Sequence, residues 1–179
     1  MESFEVAMQS NLNFRLMAIE FWLRDLLKPP GKILIKAGVA PGMKVLDFGC
    51  GPGGFSVAAA ELVGSGGEVY AVDIHPLSLR SIEKASKRLN LSNLHPLHGS
   101  KTGDLQDQTI DRILLYDILH DVEDPQRVKR ELHRLLKPDG LISIKDHRLR
   151  DDEVRAQMTR EGLFRPAGSK GETLLFERI

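Results

Sequence analysis

The chain is poor in cysteine and aromatic residues and has no surplus of either charge. Its 179 residues include one cysteine, one tryptophan and two tyrosines. A lone Cys50 excludes an internal disulfide and any metal site built from several cysteines, and we predict no metal site. Because 25 basic residues balance 25 acidic ones, the chain lacks the electrostatic footprint of a general nucleic-acid binder, and no nucleic-acid partner is expected.

Long apolar runs are missing as well. No stretch approaches the length of about eighteen uninterrupted apolar residues that a membrane-spanning helix requires. The opening residues, MESFEVAMQSNLNF, lack the basic region and apolar core of a secretory signal. These features predict a cytoplasmic protein with no membrane span. A chain of 179 residues is long enough for one domain with a sizeable core.

Segments typical of strands and helices alternate along the chain. The strand patterns are MKVLDF, EVYAVD, LHPLHG, DRILLYD, LISIK and ETLLFERI. Helical spacing characterises FSVAAAELV, PLSLRSIEKASKRLN, DPQRVKRELHRLL and DDEVRAQMTREG, and also residues 13–27. This alternation predicts a doubly wound α/β fold with a mainly parallel sheet. We expect residues 1–37 to form an N-terminal helical extension and residues 38–179 to form the globular domain.

A glycine-rich loop, LDFGCGPGGFS at residues 46–56, follows the first clear strand and precedes a helix. Its G-x-G-x-x-G spacing fits a dinucleotide loop, in which backbone N–H groups approach a ligand closely. Asp47, two residues before the first glycine, changes the expected ligand. Its carboxylate would repel the pyrophosphate of a dinucleotide and attract an ammonium or sulfonium group. The loop therefore favours a cationic ligand.

A second acid, Asp73, ends the strand EVYAVD. A carboxylate at that position accepts hydrogen bonds from the ribose hydroxyls of a nucleoside. The alternative is a purely structural role as the N-cap of the following helix. Since parallel strands end at one edge of a sheet, Asp47 and Asp73 are expected to share one site.

Four motifs in succession carry a family resemblance. VLDFGCGPGGFS, VYAVDIHP, DRILLYDILHDVEDP and ELHRLLKPDGLISIKDH resemble the ordered motifs of the class I S-adenosylmethionine-dependent methyltransferases. They are most similar to the small-molecule branch that includes quinone-biosynthesis methyltransferases. The resemblance implies a Rossmann-like sheet of seven strands in the order 3-2-1-4-5-7-6, with strand 7 antiparallel. It also implies S-adenosyl-L-methionine as the cofactor.

The resemblance further assigns roles to individual residues. It places the methionine moiety of the cofactor beside the glycine loop, the ribose on Asp73 and the adenine against Ile74. Ser100 stands where many relatives have an acid for the adenine amino group, and Tyr116 borders the methionine end. The expected cofactor-binding residues are Asp47, Gly49, Cys50, Gly51, Gly53, Asp73, Ile74, Ser100 and Tyr116.

Methyl transfer needs a base only if the acceptor loses a proton. The candidates at predicted strand ends are His120 and Asp117, with Asp146 and His147 after the next strand. His120 is favoured because imidazole titrates near neutrality, with a packed loop histidine as the alternative. For Asp146 and His147 a solvated turn is the alternative, and a solvated helix face is expected for the basic run that includes Lys129.

The expected function is methyl transfer to a small-molecule acceptor. The alternatives are a non-catalytic cofactor-binding protein, a methyltransferase acting on a protein and, less in keeping with Asp47, a nicotinamide-dependent oxidoreductase. The chain lacks the insertions that usually form an acceptor pocket in this family. The N-terminal extension is therefore expected to act as a lid on the acceptor side, alone or with the second subunit of a homodimer.

Overall fold

A computed structural model of the chain describes residues 27–179 together with Phe14, Leu16 and Glu20, without the side chains of Ser100 and Lys101. The strands within these residues are β1 (Lys44–Phe48), β2 (Glu68–Asp73), β3 (Leu94–His98), β4 (Ile110–Tyr116), β5 (Leu136–Lys145), β6 (Phe164–Lys170) and β7 (Thr173–Arg178). The helices are α1 (Pro30–Lys36), α2 (Gly54–Val63), α3 (Pro76–Leu89), α4 (Pro125–Leu135) and α5 (Asp151–Thr159). Short 3₁₀ turns cover Gly64–Gly66, Gly99–Asp104 and Leu119–Asp121.

The seven strands form one sheet in the order β3-β2-β1-β4-β5-β7-β6. Strands β1 to β5 pair in parallel, whereas β7 runs antiparallel to both β5 and β6. This arrangement confirms the predicted fold class and strand order. It also brings the ends of β1, β2, β4 and β5 to one edge, where the predicted site residues follow.

Two apolar cores cover the two faces of the sheet. One core packs side chains of α1, α2 and α3, such as Leu34, Ala59 and Ile82, against β1, β2 and β4. The other packs α4 and α5 against the opposite face, through residues that include Leu132 and Met158. Because helices cover both faces of the sheet, its central strands consist largely of apolar residues.

Helix α4 shows how local sequence sets an element and where the prediction was wrong. Asp124 caps it by accepting the N–H of Arg127, with Pro125 in the first position, as predicted. Val128, Leu132 and Leu135 are buried, also as predicted. Lys129, however, is not on a solvated face, because its side chain is only 3% exposed and pairs with Glu161. The lysine lies between α4 and α5, where its Nζ also donates to the carbonyl of Gln157 at 2.6 Å.

Three elements differ from the sequence-based expectations. Residues 30–36 form helix α1 and not merely an apolar segment, because Pro30 stands at the helix start, where its missing N–H costs nothing. Strand β5 begins at Leu136, ahead of the predicted turn at residues 137–140. Strand β6 was not identified as a strand pattern, because six of its seven residues are exposed and it contains Pro166 and Gly168. A register shift against β7 lies between those two residues.

The predicted helix over residues 13–27, and with it most of the N-terminal extension, lies outside the described residues. Phe14, Leu16 and Glu20 are helical, and Phe14 is buried. In the part of the chain that the structure describes, no helix is both long and apolar enough to cross a membrane.

Candidate functional site

The glycine loop lies over the end of β2. The N–H groups of Gly49 and Cys50 both donate to the carbonyl of Val72, at 2.8 and 3.0 Å. The N–H of Gly51 donates to Oδ2 of Asp73 at 2.8 Å, and Gly53 is the N-cap residue of α2. The predicted loop residues and Asp73 therefore meet in one place.

Asp47 is buried at the end of β1, where the hydroxyl of Ser56 on α2 donates to its carboxylate. Burial raises the pKa of Asp47 to about 7, against the opposing effect of the Ser56 hydrogen bond, and the nearby charge of Asp73 raises it further. Among the described residues, no cationic side chain pairs with this carboxylate. A positively charged ligand beside it would favour its ionised form, so the Asp47 carboxylate suits an ammonium or sulfonium group.

Asp73 uses both carboxylate oxygens on backbone donors. Oδ2 accepts from Gly51, and Oδ1 accepts from the N–H of His75 at 2.8 Å. The cap of α3 is His75, whose Nδ1 accepts the N–H of Leu77, so the alternative of Asp73 as that helix cap is wrong. Each carboxylate oxygen accepts more than one hydrogen bond, and the half-buried Asp73 keeps the capacity to accept two hydroxyls.

Two small clefts flank the loop, and Gly49 lines both. The first is apolar apart from Asp73 and is bordered by Phe48, Gly49, Val72, Asp73, Ile74, Gly99 and Ile118. The second carries two acids and is bordered by Asp47, Gly49, Cys50, Gly54, Phe55, Tyr116 and Asp117. The arrangement matches a ligand with an apolar, hydroxyl-bearing half and a cationic half.

Two predicted cofactor-side residues are locked by packing. The Cys50 thiol is buried 3.5 Å from the Ser78 hydroxyl, and burial raises its pKa well above the usual value. Such a thiol is a poor nucleophile. Tyr116 is buried edge-on against Phe55, and its hydroxyl shares a 2.9 Å hydrogen bond with Ser143. Burial also raises the pKa of Tyr116, so the phenol stays neutral.

The ends of β4 and β5 are joined by two crossed histidine–aspartate pairs. His120, beyond β4, places Nδ1 2.8 Å from both carboxylate oxygens of Asp146, beyond β5. His147, beyond β5, places Nδ1 3.1 Å from Oδ1 of Asp117, directly after β4. The two imidazole rings meet edge to face, with centroids 5.3 Å apart. The solvated-turn alternative is therefore wrong for Asp146, whose side chain is buried, whereas His147 is 57% exposed.

The surroundings of Asp146 and Asp117 stabilise the contacts that these two residues make with the histidines. Burial acts to raise the pKa of Asp146, but the N–H of Arg148 and the hydrogen bonds from His120 outweigh it, and the pKa lies below the usual value. Asp117 has a left-handed backbone, with φ of 56°, a conformation that aspartate tolerates better than most residues. Both carboxylates thus face a histidine. Among the described residues, no cluster of three or more His, Cys, Asp and Glu could hold a metal ion.

Three residues at the site had not been identified from the sequence. Ser56 bonds Asp47, Ile118 lies against Gly49, and His75 stacks on Phe14 with ring centroids 4.6 Å apart. The Ile118 and Phe14 contacts join distant parts of the chain, and the Ser56 contact depends on how the loop turns from β1 into α2, so no residue spacing indicates them. Ser100 belongs to the 3₁₀ turn after β3, next to the apolar cleft, but its side chain lies outside the described residues.

The chain also matches known methyltransferases in sequence and in fold. A family model described as a methyltransferase domain matches residues 40–170. Demethylmenaquinone methyltransferase of Geobacillus sp. strain WCH70 is 32% identical over 122 residues, which are 68% of this chain and 49% of that protein. The chain spans about half the length of the curated relatives it matches.

Solved structures show the same fold. A SAM-dependent methyltransferase from Aquifex aeolicus is 27% identical, with a TM-score of 0.73 over 86% of this chain and 90% of that one. A structure from Methanococcus maripaludis, at 17% identity, has a TM-score of 0.78 over 96% and 97% of the two chains and shows the fold alone.

Proposed function

Because the chain belongs to the class I S-adenosylmethionine-dependent methyltransferases, we propose that it transfers a methyl group from S-adenosyl-L-methionine to a small-molecule acceptor. The observation that carries the proposal is the pair of clefts meeting at Gly49, with Asp73 in one and Asp47 in the other. Adenosine would occupy the apolar cleft, with its ribose hydroxyls on Asp73 and its base beside Ile74. The methionine half would lie in the acidic cleft beside Asp47 and Tyr116.

When bound, the cofactor supplies the activated methyl group, and the protein orients the acceptor and moves its proton. His120 is the base in this proposal. Asp146 accepts the Nδ1 proton of His120 and leaves Nε2 to receive the acceptor's proton. Nε2 lies 3.3 Å from Oδ2 of Asp121, whose side chain is 35% exposed, so a bound acceptor would displace that carboxylate toward solvent.

Asp117 has a different role in this proposal. Its Oδ1 accepts both the N–H and the ring Nδ1 of His147, and its carboxylate borders the acidic cleft. We assign it to positioning His147 and to the cationic end of the cofactor. The acceptor would lie between this corner and His120, at the ends of β4 and β5.

The acceptor class is proposed from the relatives. Proteins named demethylmenaquinone methyltransferase match this chain at 30–32% identity, which supports an apolar, quinone-related acceptor. The N-terminal extension would cover part of the site, because Phe14 stacks on His75, two residues beyond Asp73. That contact lies on the cofactor side, so the lid would begin there and extend toward the acceptor.

Calorimetric titration tests the cofactor assignment. We expect one S-adenosyl-L-methionine, or its demethylated product, to bind per chain and NAD to bind far more weakly. Asp73→Asn should lower the affinity at least about tenfold, since charge-assisted hydrogen bonds contribute about 1.5–3 kcal/mol each. Asp139→Asn, an exposed change at the far end of the strands, is the control. Tight NAD binding without binding of S-adenosyl-L-methionine would refute the proposal.

A second measurement tests the base. His120→Gln should keep the cofactor affinity but abolish transfer to a short-chain demethylmenaquinone analogue, supplied as quinone and as quinol. Asp146→Asn should shift the pH profile of the transfer rate, because it changes the group that faces Nδ1. His133→Gln, remote from the cleft on α4, should transfer at the normal rate. Full transfer by His120→Gln would remove His120 from the mechanism.

A further inference from the structure

A cluster of lysines and exposed aliphatic side chains surrounds the tip of the β6–β7 hairpin. Glu172 at the tip pairs with Lys145 at the end of β5 and, at 3.1 Å, with Lys28 before α1. Lys36 of α1 lies against Gly171, since a Cβ on that glycine would be 3.3 Å from the lysine Cδ. Lys170 ends β6 beside the tip. We name this surface, together with Lys32, Leu27 and Ile35, the lysine face.

The lysine face concentrates positive charge in a chain of zero net charge. Among the described residues it carries five lysines, Lys28, Lys32, Lys36, Lys145 and Lys170, around one acid, Glu172. Within the described residues, this face therefore carries a net positive charge. A surface of this sign attracts a polyanion.

Two aliphatic side chains stand among these charges. Leu27 is 83% exposed and Ile35 is 60% exposed, both unusually high for large apolar residues of a folded domain. On α1, Ile35 lies one turn from Lys32 and next to Lys36, so all three share the solvent-facing side. Basic and aliphatic groups on one exposed face are typical of interfacial membrane binding.

We propose that the lysine face is a peripheral binding surface for an anionic lipid bilayer. The lysines would contact lipid phosphates, and Leu27 and Ile35 would enter the boundary between headgroups and acyl chains. The cations are all lysines and the described face has no aromatic side chain, whereas nucleic-acid surfaces favour arginine and stacking aromatics. The composition therefore favours a bilayer over RNA.

The position of the face relative to the candidate site adds to the argument. Lys145 belongs to the face and immediately precedes Asp146 and His147, which border the proposed acceptor position. An acceptor dissolved in the bilayer would therefore reach the ends of β4 and β5 from the bound side. This last point rests on the proposed function, but lipid binding itself does not.

Co-sedimentation of the full chain with vesicles, without cofactor or acceptor, tests the proposal. We expect binding to vesicles of equal phosphatidylcholine and phosphatidylglycerol, none to phosphatidylcholine alone, and weakening by salt. Lys32→Glu combined with Lys36→Glu should reduce binding at least about twentyfold, since each lysine near an anionic surface contributes about fivefold. Ile35→Asp should also reduce it. Lys84→Glu with Lys87→Glu on the exposed side of α3 makes the same charge change and should bind normally.

Each outcome bears on one conclusion. Equal binding to both vesicle types, or equal loss in the α3 control, would overturn the proposal. So would tighter binding to single-stranded RNA, or self-association abolished by Ile35→Asp, which would assign the face to another partner. Unchanged thermal unfolding of the variants excludes misfolding. Vesicle binding without any methyl transfer would contradict the proposed function and leave the lysine face as a lipid-binding surface.

Discussion

The contact between Gly49 and Ile118 gives the sharpest test of the site's geometry. Gly49 has φ of +78°, and a Cβ added to it would lie 2.8 Å from Cβ and 2.9 Å from Cδ1 of Ile118, and nearer still to Cγ1. Gly42 has nearly the same backbone, with φ of +81°, but among the described residues nothing lies within 4 Å of its added Cβ. The two glycines therefore differ in packing and not in conformation.

Substituting alanine at Gly42 and at Gly49 separates the cost of the left-handed backbone from the cost of overpacking. Gly42→Ala should lower the free energy of unfolding by about 1–2 kcal/mol, the cost of a left-handed backbone for a residue with a Cβ. Gly49→Ala adds overpacking of about 1–3 kcal/mol, for a total of about 2–5 kcal/mol. It should also weaken binding of S-adenosyl-L-methionine, because its methyl group enters the junction of the two clefts. Urea denaturation and calorimetry measure these effects.

A double mutant then identifies the clashing partner. Ile118→Ala removes Cγ1 and Cδ1 but keeps the Cβ at 2.8 Å, so it should relieve part of the overpacking and none of the backbone cost. The loss from Gly49→Ala should therefore be smaller in the Ile118→Ala background than in the wild type. Equal losses for Gly49→Ala and Gly42→Ala would refute the reasoning, since Ile118 could not then lie against the loop in solution.

Three further predictions concern groups whose environment the structure defines. The pKa of Asp47 is about 7 in the folded chain and near 3.8 when unfolded; the folded state therefore holds an extra proton on Asp47 between these values, and the contribution of Asp47 to stability should fall as pH rises from about 4 to 7, so the stability difference between the wild type and Asp47→Asn should change over that range in urea titrations. Glu161→Gln leaves the buried ammonium of Lys129 without its anionic partner and should lower Tm more than Glu177→Gln, which removes an exposed pair with Arg165. Phe14→Ala removes the stacking partner of His75 and should weaken cofactor binding in calorimetry more than the exposed change Leu16→Ala; equal effects would separate the N-terminal segment from the site.

Elements with strong local patterns could be predicted from the sequence. Strand β4 is an apolar run because it is buried on both faces of the sheet. Helix α4 begins at a cap and a proline, Asp124 and Pro125, that are visible in the sequence. The strand order came from the family resemblance. Strand β6 escaped because its polar, proline-containing sequence is held by pairing with β7 and not by an apolar face.

The site was predictable only to the level of which residues stand at strand ends. Asp47 and Asp73 were placed by that rule, but the hydrogen bond from Gly51 to Asp73 depends on how the glycine loop folds over the end of β2. The crossed pairs of His120 with Asp146 and His147 with Asp117 depend on the register of β4 against β5. The burial of Lys129 depends on how α5 approaches α4, which no spacing in either helix specifies.

Strand β6 has a consequence for how copies of the protein can meet. A strand at the edge of a sheet has unpaired N–H and C=O groups, which can pair with a strand of a neighbouring molecule. Here Pro166 lacks a backbone donor, a register shift before Gly168 interrupts the regular pairing, and Lys170 adds a positive charge at the end of the strand. Growth of the sheet from molecule to molecule is thereby discouraged at β6, and any lasting self-association at this edge would have to use side chains and not strand pairing.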